Sequence, residues 1–282
     1  MGGRGSAYIS YKNSNSSSGV DIGLMADIID TMEDDPDTKL PHKGYTQRLK
    51  DKHIHIKKST DNIDEAIMVP NANKVQELTN KYTKTTKTLQ KNDEQLRIRS
   101  SALSNNVAAA FISSPVEFKN LQVVYNKDIQ FMNKARLEQH TKNEIDSKFW
   151  TKSDDLVNHT ITHEYGHYIQ RVLMERDVKQ YNEDKARRNE LISNIKKSNG
   201  NQKKIQKYIE EYSEEYATKY IKSVQRVCRK NFGRDYEKNI ISRYGTESNR
   251  EYFAEIFCNA ETNTNPDDIG KAMKIYLNKK LK

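Results

Sequence analysis

Between Trp150 and Val172 the chain offers a helix with two unlike faces, and this stretch limits how everything around it can fold. Val157, Ile161, Tyr168, Ile169 and Val172 recur on one face, while His163, Glu164 and His167 fall on another. The apolar face docks the helix on a core and the polar face lines a cleft. Ser153 or Asp154 can cap the helix start. Gly166, a poor residue for a helix interior, fits where another backbone or a substrate comes close.

The polar face spells HEYGH, His163 to His167. Residues at i and i+4 lie one above the other, so His163 and His167 can offer two imidazole nitrogens to one metal ion. Glu164, beside the first of them, can then reach a water activated by that ion, the arrangement of zinc metalloproteases. Two His and a Glu on an ordinary polar helix face is the alternative. His159, one turn earlier, lies near the same face; a surface position is expected for it. Two histidines leave a catalytic zinc short of a third protein ligand. Downstream, in SRYGTESNREYFAEIFCNA, Glu251 and Glu255 are spaced i, i+4 beside apolar Phe253, Ala254 and Phe257. Ser248 with Glu251 also fits a capping box, with Glu255 a surface charge. Two aligned carboxylates beside an apolar stripe suit a ligand and its support better.

The 282 residues allow one large domain or two small ones. Hydrophobic content of 34% against 31% charged residues is that of a chain expected to be soluble. No apolar run approaches the roughly 20 residues that span a bilayer, and MGGRGSAYIS lacks the apolar core of a secretory signal. Cys228 and Cys258 lack a CxxC partner, which favours two buried or half-buried thiols over a disulfide framework or thiolate zinc site. The net charge of +9 comes from 48 basic residues interspersed with 39 acidic ones, a mixture that argues against a nucleic-acid partner.

Residues 1–40 combine GGRG, NSNSSSG and EDDPD, a composition expected to stay flexible, with a short helix possible in GVDIGLMADIIDTM. From 41 to 282 the pattern is globular. His53 and His55 alternate with Ile54 and Ile56, as on one face of a strand; such a pair can bind metal, and an exposed strand face explains it as well. Asp61 to Val69 ends at Pro70, and a helix is expected from Asn71 to about Gln90. Strands are expected around Leu96 and Ile98, over Val107–Ile112 and over Leu121–Tyr125, the last beside the cleft where an extended peptide could pair. From about 175 to 230 the pattern is a helical hairpin turning at Ser198–Asn201. Its Tyr208, Tyr212, Tyr216 and Tyr220 alternate with lysines and could stack bases. The accompanying Ile205, Ile209, Ile221 and Val224 favour a packing face instead.

HExxH, then Tyr244-Gly245, then a Glu seven residues after that Tyr opening the segment EYFAEIF, resembles the zincin metallopeptidases represented by the anthrax lethal factor catalytic domain and the Pro-Pro endopeptidases. The likeness covers about residues 145–260. The interval from His167 to Glu251 is longer here because of the hairpin, and the N-terminal part matches none of the lethal factor receptor-binding or targeting regions. The resemblance implies an α+β, zincin-like fold of the gluzincin kind: a small mixed sheet, the HExxH helix, a glutamate-ligand helix and the inserted hairpin. It implies Zn2+ held by His163, His167 and Glu251, with Glu164 as general base. It makes Tyr244 the stabiliser of the oxyanion and Glu255 the carboxylate that holds a ligand histidine. The expected partner is a protein or peptide substrate. The Gly- and Ser-rich opening resembles that of prophage and mobile-element accessory proteins, so the expected location is the cytoplasm or a phage particle. An interaction protein on a peptidase-like scaffold, virion-associated or an effector, is the alternative.

Overall fold

A computed structural model of the protein describes residues 48–103, 107–127, 133–234, 236 and 241–282; the N-terminal segment 1–40 and its expected short helix lie outside the described residues. Strand β1 (Ile54–Ile56) leads through helices α1 (Glu65–Lys81) and α2 (Lys84–Lys91) to β2 (Leu96–Ser101). Strands β3 (Ala109–Ile112) and β4 (Leu121–Asn126) follow, then α3 (Lys134–Asp146) and the central α4 (His159–Gln180). Helices α5 (Asn182–Lys197) and α6 (Gln202–Phe232) form the expected hairpin, and α7 (Asn249–Thr262) and α8 (Asp268–Leu281) close the chain. The architecture is α+β with a four-stranded mixed sheet. Among the described residues no helix is long and apolar enough to cross a membrane.

The sheet order is β1-β2-β4-β3, with β1, β2 and β4 parallel and β3 antiparallel to β4. This corrects the expectation that the last strand borders the cleft. Leu121–Asn126 is buried at every position and lies inside the sheet, as its unbroken run of β-branched and large residues suits. The edge is β3. Asn126 N–H donates to Ala108 O at 3.0 Å, which turns the backbone groups of alternate residues toward β4 and leaves the Phe111 N–H pointing away from the sheet.

Two helix boundaries differ from the periodicity. The expected helix from Asn71 to Gln90 is two helices, and Pro70 lies inside the first rather than before it. Near a helix start proline forfeits only one backbone bond, whereas the break comes at Tyr82, whose ψ of 65° cannot continue the helix. Likewise α4 begins at His159 with Asn158 before it, not after Ser153 or Asp154. Asp154 accepts instead from Thr264 N–H (2.9 Å) and Oγ1 (2.7 Å), which pins the approach segment to the end of α7.

Helix α4 is buried on nearly every side from His159 to Glu175, so the face expected to line an open cleft is itself covered. Its cover is α7, against which it packs most extensively. Gly166 sets their spacing. A Cβ there would meet Ala254 Cα at 3.1 Å and Phe257 Cδ1 at 3.2 Å. Tyr212, Tyr216 and Tyr220 of α6 are buried, successive rings meeting edge to face or tilted at 5.1 and 6.1 Å between centroids, and the Tyr220 ring lies 6.3 Å from that of Phe253 on α7. The tyrosine stripe is thus a packing face, and these three rings are not offered to bases.

Gly166→Ala tests the close approach. Alanine gains about 1 kcal/mol of helix propensity over glycine, but overpacking against a fixed backbone costs roughly 1–3 kcal/mol. Net destabilisation of about 1 kcal/mol is expected from urea denaturation of the metal-free protein. A stabilised variant would mean the helices have room to spare.

Candidate metal centre

His163 and His167, one turn apart on α4, stand nearly edge to face with ring centroids 5.0 Å apart. Across from them, α7 starts at Ser248, whose Oγ accepts the Glu251 N–H at 3.1 Å. Only this half of the expected capping box forms. The Glu251 carboxylate turns away to α4, its Oε2 lying 3.1 Å from His163 Nε2 and 3.2 Å from His167 Nε2. All three residues are buried, and one ligand atom from each lies within 4.8 Å of the others. They are the only such group found among the described residues, so His53 and His55 gain no third ligand. His53 also precedes β1, with a left-handed φ of 57°, rather than sharing a strand face with His55.

One turn along α7, Glu255 is fully buried and bridges two partners. Its Oε1 lies 2.8 Å from His163 Nδ1 and its Oε2 accepts the Thr151 N–H at 2.6 Å. A carboxylate on Nδ1 calls for a proton there, which leaves the Nε2 lone pair facing the Glu251 oxygen. Two acceptors at that distance repel unless a cation stands with them: either a second proton on the imidazole or a metal ion among all three groups. Without metal the histidine takes the proton. Burial opposes the charged form of His163, but its bonds to Glu251 and Glu255 override this and hold its pKa well above the ordinary range. Glu251 moves the other way: burial disfavours its charge, yet His167 and His163 keep it ionised to unusually low pH. His167 Nδ1 is buried without a hydrogen-bond partner. Two imidazoles and one carboxylate suit a first-row transition-metal ion better than magnesium or calcium, which prefer all-oxygen sites.

Glu164 sits at the boundary between α4 and the sheet edge, where its Oε2 accepts the outward Phe111 N–H at 2.6 Å. Burial raises its pKa, with His163 and His167 acting against the rise. Tyr244 comes from a short 3-10 turn over Tyr244–Thr246, and its backbone N–H is tied to Phe149 O at 2.9 Å. Its ring lies 5.6 Å from that of His163, and its buried hydroxyl lacks a hydrogen-bond partner. Burial first, then the charges of Glu251 and Glu164, push the phenol pKa well above its usual value, so it stays protonated at neutral pH.

All six residues singled out in the sequence therefore meet in one buried place. Two supporting groups were not visible there, the Thr151 and Phe111 backbone N–H groups, because a main-chain donor leaves no trace in residue type. His159 is corrected: it is a buried neighbour of the centre, not a surface residue. It stacks on Trp150 at 4.9 Å between centroids, and its Nε2 lies 3.3 Å from the same Thr151, at the carbonyl. Cys228 and Cys258 are both buried thiols outside any disulfide, as expected. Comparison with known proteins gives no match: no family model, curated protein or solved structure is found to be similar to this chain.

Burial lowers the His159 pKa from 6.5 to about 4. Between those values the unfolded chain binds a proton here that the folded protein does not, so stability falls as pH drops through this window. His159→Phe keeps the stack and removes the titration. In chelator-treated protein it should flatten the loss of stability from pH 6.5 to 4 by up to about 3 kcal/mol. Identical pH profiles for variant and wild type would show that the ring protonates freely in the fold.

Proposed function

We propose that the chain is a zinc-dependent endopeptidase of zincin type, acting on a protein or peptide substrate. The observation that carries this reading is the convergence of His163 Nε2, His167 Nε2 and Glu251 Oε2, with Glu255 bracing His163 from behind. Glu164 and Tyr244 border the same point, one an acceptor and the other a donor. Zinc held by the three ligands supplies Lewis acidity, polarising a peptide carbonyl and making a water acidic enough to ionise near neutral pH.

The chain's own residues do the rest. Glu164 takes the proton of the attacking water and returns it to the leaving amine, a role its burial-raised pKa favours. The Tyr244 hydroxyl, protonated and uncommitted, donates to the carbonyl oxygen as negative charge grows there. Glu255 fixes the His163 ring and its tautomer, keeping Nε2 available.

Two variants test the roles against a casein or mixed-peptide substrate that the wild type cleaves. Glu164→Gln should abolish cleavage while the protein still carries about one zinc per chain, since this side chain acts on water and not on the ion. Tyr244→Phe should lower turnover about a hundredfold without loss of zinc, because the hydroxyl it removes is a donor to the carbonyl oxygen and not a ligand. Full activity in either variant would remove that residue from the reaction. Absence of peptidase activity in zinc-loaded wild type across broad peptide mixtures would count against the enzyme reading itself.

A further inference from the structure

Glu251 occupies the capping-box position of α7, where a glutamate ordinarily folds back to the helix start, yet its carboxylate faces the two histidines. The next two backbone donors of this helix start are held by a residue of another helix. Glu214 of α6 accepts the Asn249 N–H on Oε1 at 2.6 Å and the Arg250 N–H on Oε2 at 3.3 Å. One turn further along α6, Thr218 Oγ1 accepts from the Asn249 side chain at 2.8 Å. From the opposite side, Gln170 of α4 donates to Arg250 O at 2.8 Å. The residue next to Glu251 is therefore gripped at its N–H by the hairpin and at its C=O by the HExxH helix.

We propose that Glu214 is a positioning residue of the metal centre: by holding the N–H groups of the two residues before Glu251 it fixes the start of α7 with that carboxylate turned to the histidines, and so makes the hairpin part of the site. The inference rests on the metal reading of His163, His167 and Glu251. A negative side chain at a helix start is stabilised by the free N–H groups and the helix dipole. Without it, the N–H groups of Asn249 and Arg250 lose their partner, the first turn of α7 keeps only the Ser248 cap, and its loosened backbone lets the Glu251 carboxylate swing away from the histidines. Each excursion of that kind withdraws a ligand. The hairpin, absent from the HExxH and EYFAE segments in sequence, would thereby set how firmly they hold zinc.

Zinc titration in competition with a chromophoric chelator tests this on folded full-length chain, alongside hydrogen exchange at Asn249 and Arg250. Glu214→Ala should weaken zinc binding about 10–100-fold and speed exchange at both amides. Glu214→Gln, which keeps one carbonyl oxygen for one of the two N–H groups, should fall between Glu214→Ala and wild type. Glu215→Ala, at a neighbouring residue that pairs with Arg187, should bind zinc as the wild type does. A merely structural role would lower unfolding stability in Glu214→Ala and leave the zinc Kd of the folded protein unmoved, and that result overturns the proposal. If Glu214→Ala does not fold, Glu214→Gln decides, with a wild-type Kd as the contrary result. Wild type that binds no zinc would instead refute the metal reading beneath the proposal.

Discussion

The approach of α7 to α4 at Gly166 is the constraint on which the rest of the structure depends. With no side chain between Gly166 and Ala254, the two helices come close enough for short carboxylate arms on α7 to reach imidazoles on α4. The contact is held from both ends of α7. At its start Ser248, Glu214 and Gln170 engage the backbone. Near its end Glu261 accepts from Lys81 Nζ at 2.6 Å and from the Tyr82 hydroxyl at 2.7 Å, tying α7 to the end of α1. A buried, charged interface survives in a folded protein only if its members satisfy one another, since an uncompensated buried charge costs several kcal/mol.

That requirement explains the layering of the centre. Glu255 is engaged by His163 and the Thr151 N–H, and Glu164 by the Phe111 N–H. The Tyr244 hydroxyl and His167 Nδ1 are buried without a hydrogen-bond partner, as is Nδ1 of the neighbouring His159. In the proposed reaction the Tyr244 hydroxyl is the donor for the developing negative charge. The carboxylate of Glu251 shared between two imidazoles places the three groups close enough to hold a metal ion.

Much of this was legible in the sequence because it is local. The i, i+4 spacing of His163 with His167, and of Glu251 with Glu255, aligns each pair on its helix whatever the tertiary fold. Strands β2 and β4 stood out by their apolar residues. What was not legible depends on partners far along the chain. The edge position of β3 follows from β4 pairing in parallel with β2, a choice that neither strand's own pattern reveals. Ser153 and Asp154 have good capping side chains, but Asp154 is drawn to Thr264, 110 residues away. The HExxH helix starts later as a result. Ser248 and Glu251 match a capping box, and only His163 and His167, 88 and 84 residues upstream of Glu251, show why half of it stays open. His159 carries no burial signal of its own; Trp150, which covers it, lies on a separate segment.

The central claim is that two helices brought together at a glycine hold one zinc ion among His163, His167 and Glu251. Anomalous diffraction from crystals of the zinc-loaded protein, recorded on both sides of the zinc absorption edge, tests it most directly. The account predicts a single strong peak within coordination distance, about 2.0–2.2 Å, of both Nε2 atoms and a Glu251 oxygen, with Glu255 still on His163 Nδ1. A peak elsewhere, or no peak at that point with the two histidines and Glu251 in the arrangement described, would contradict it.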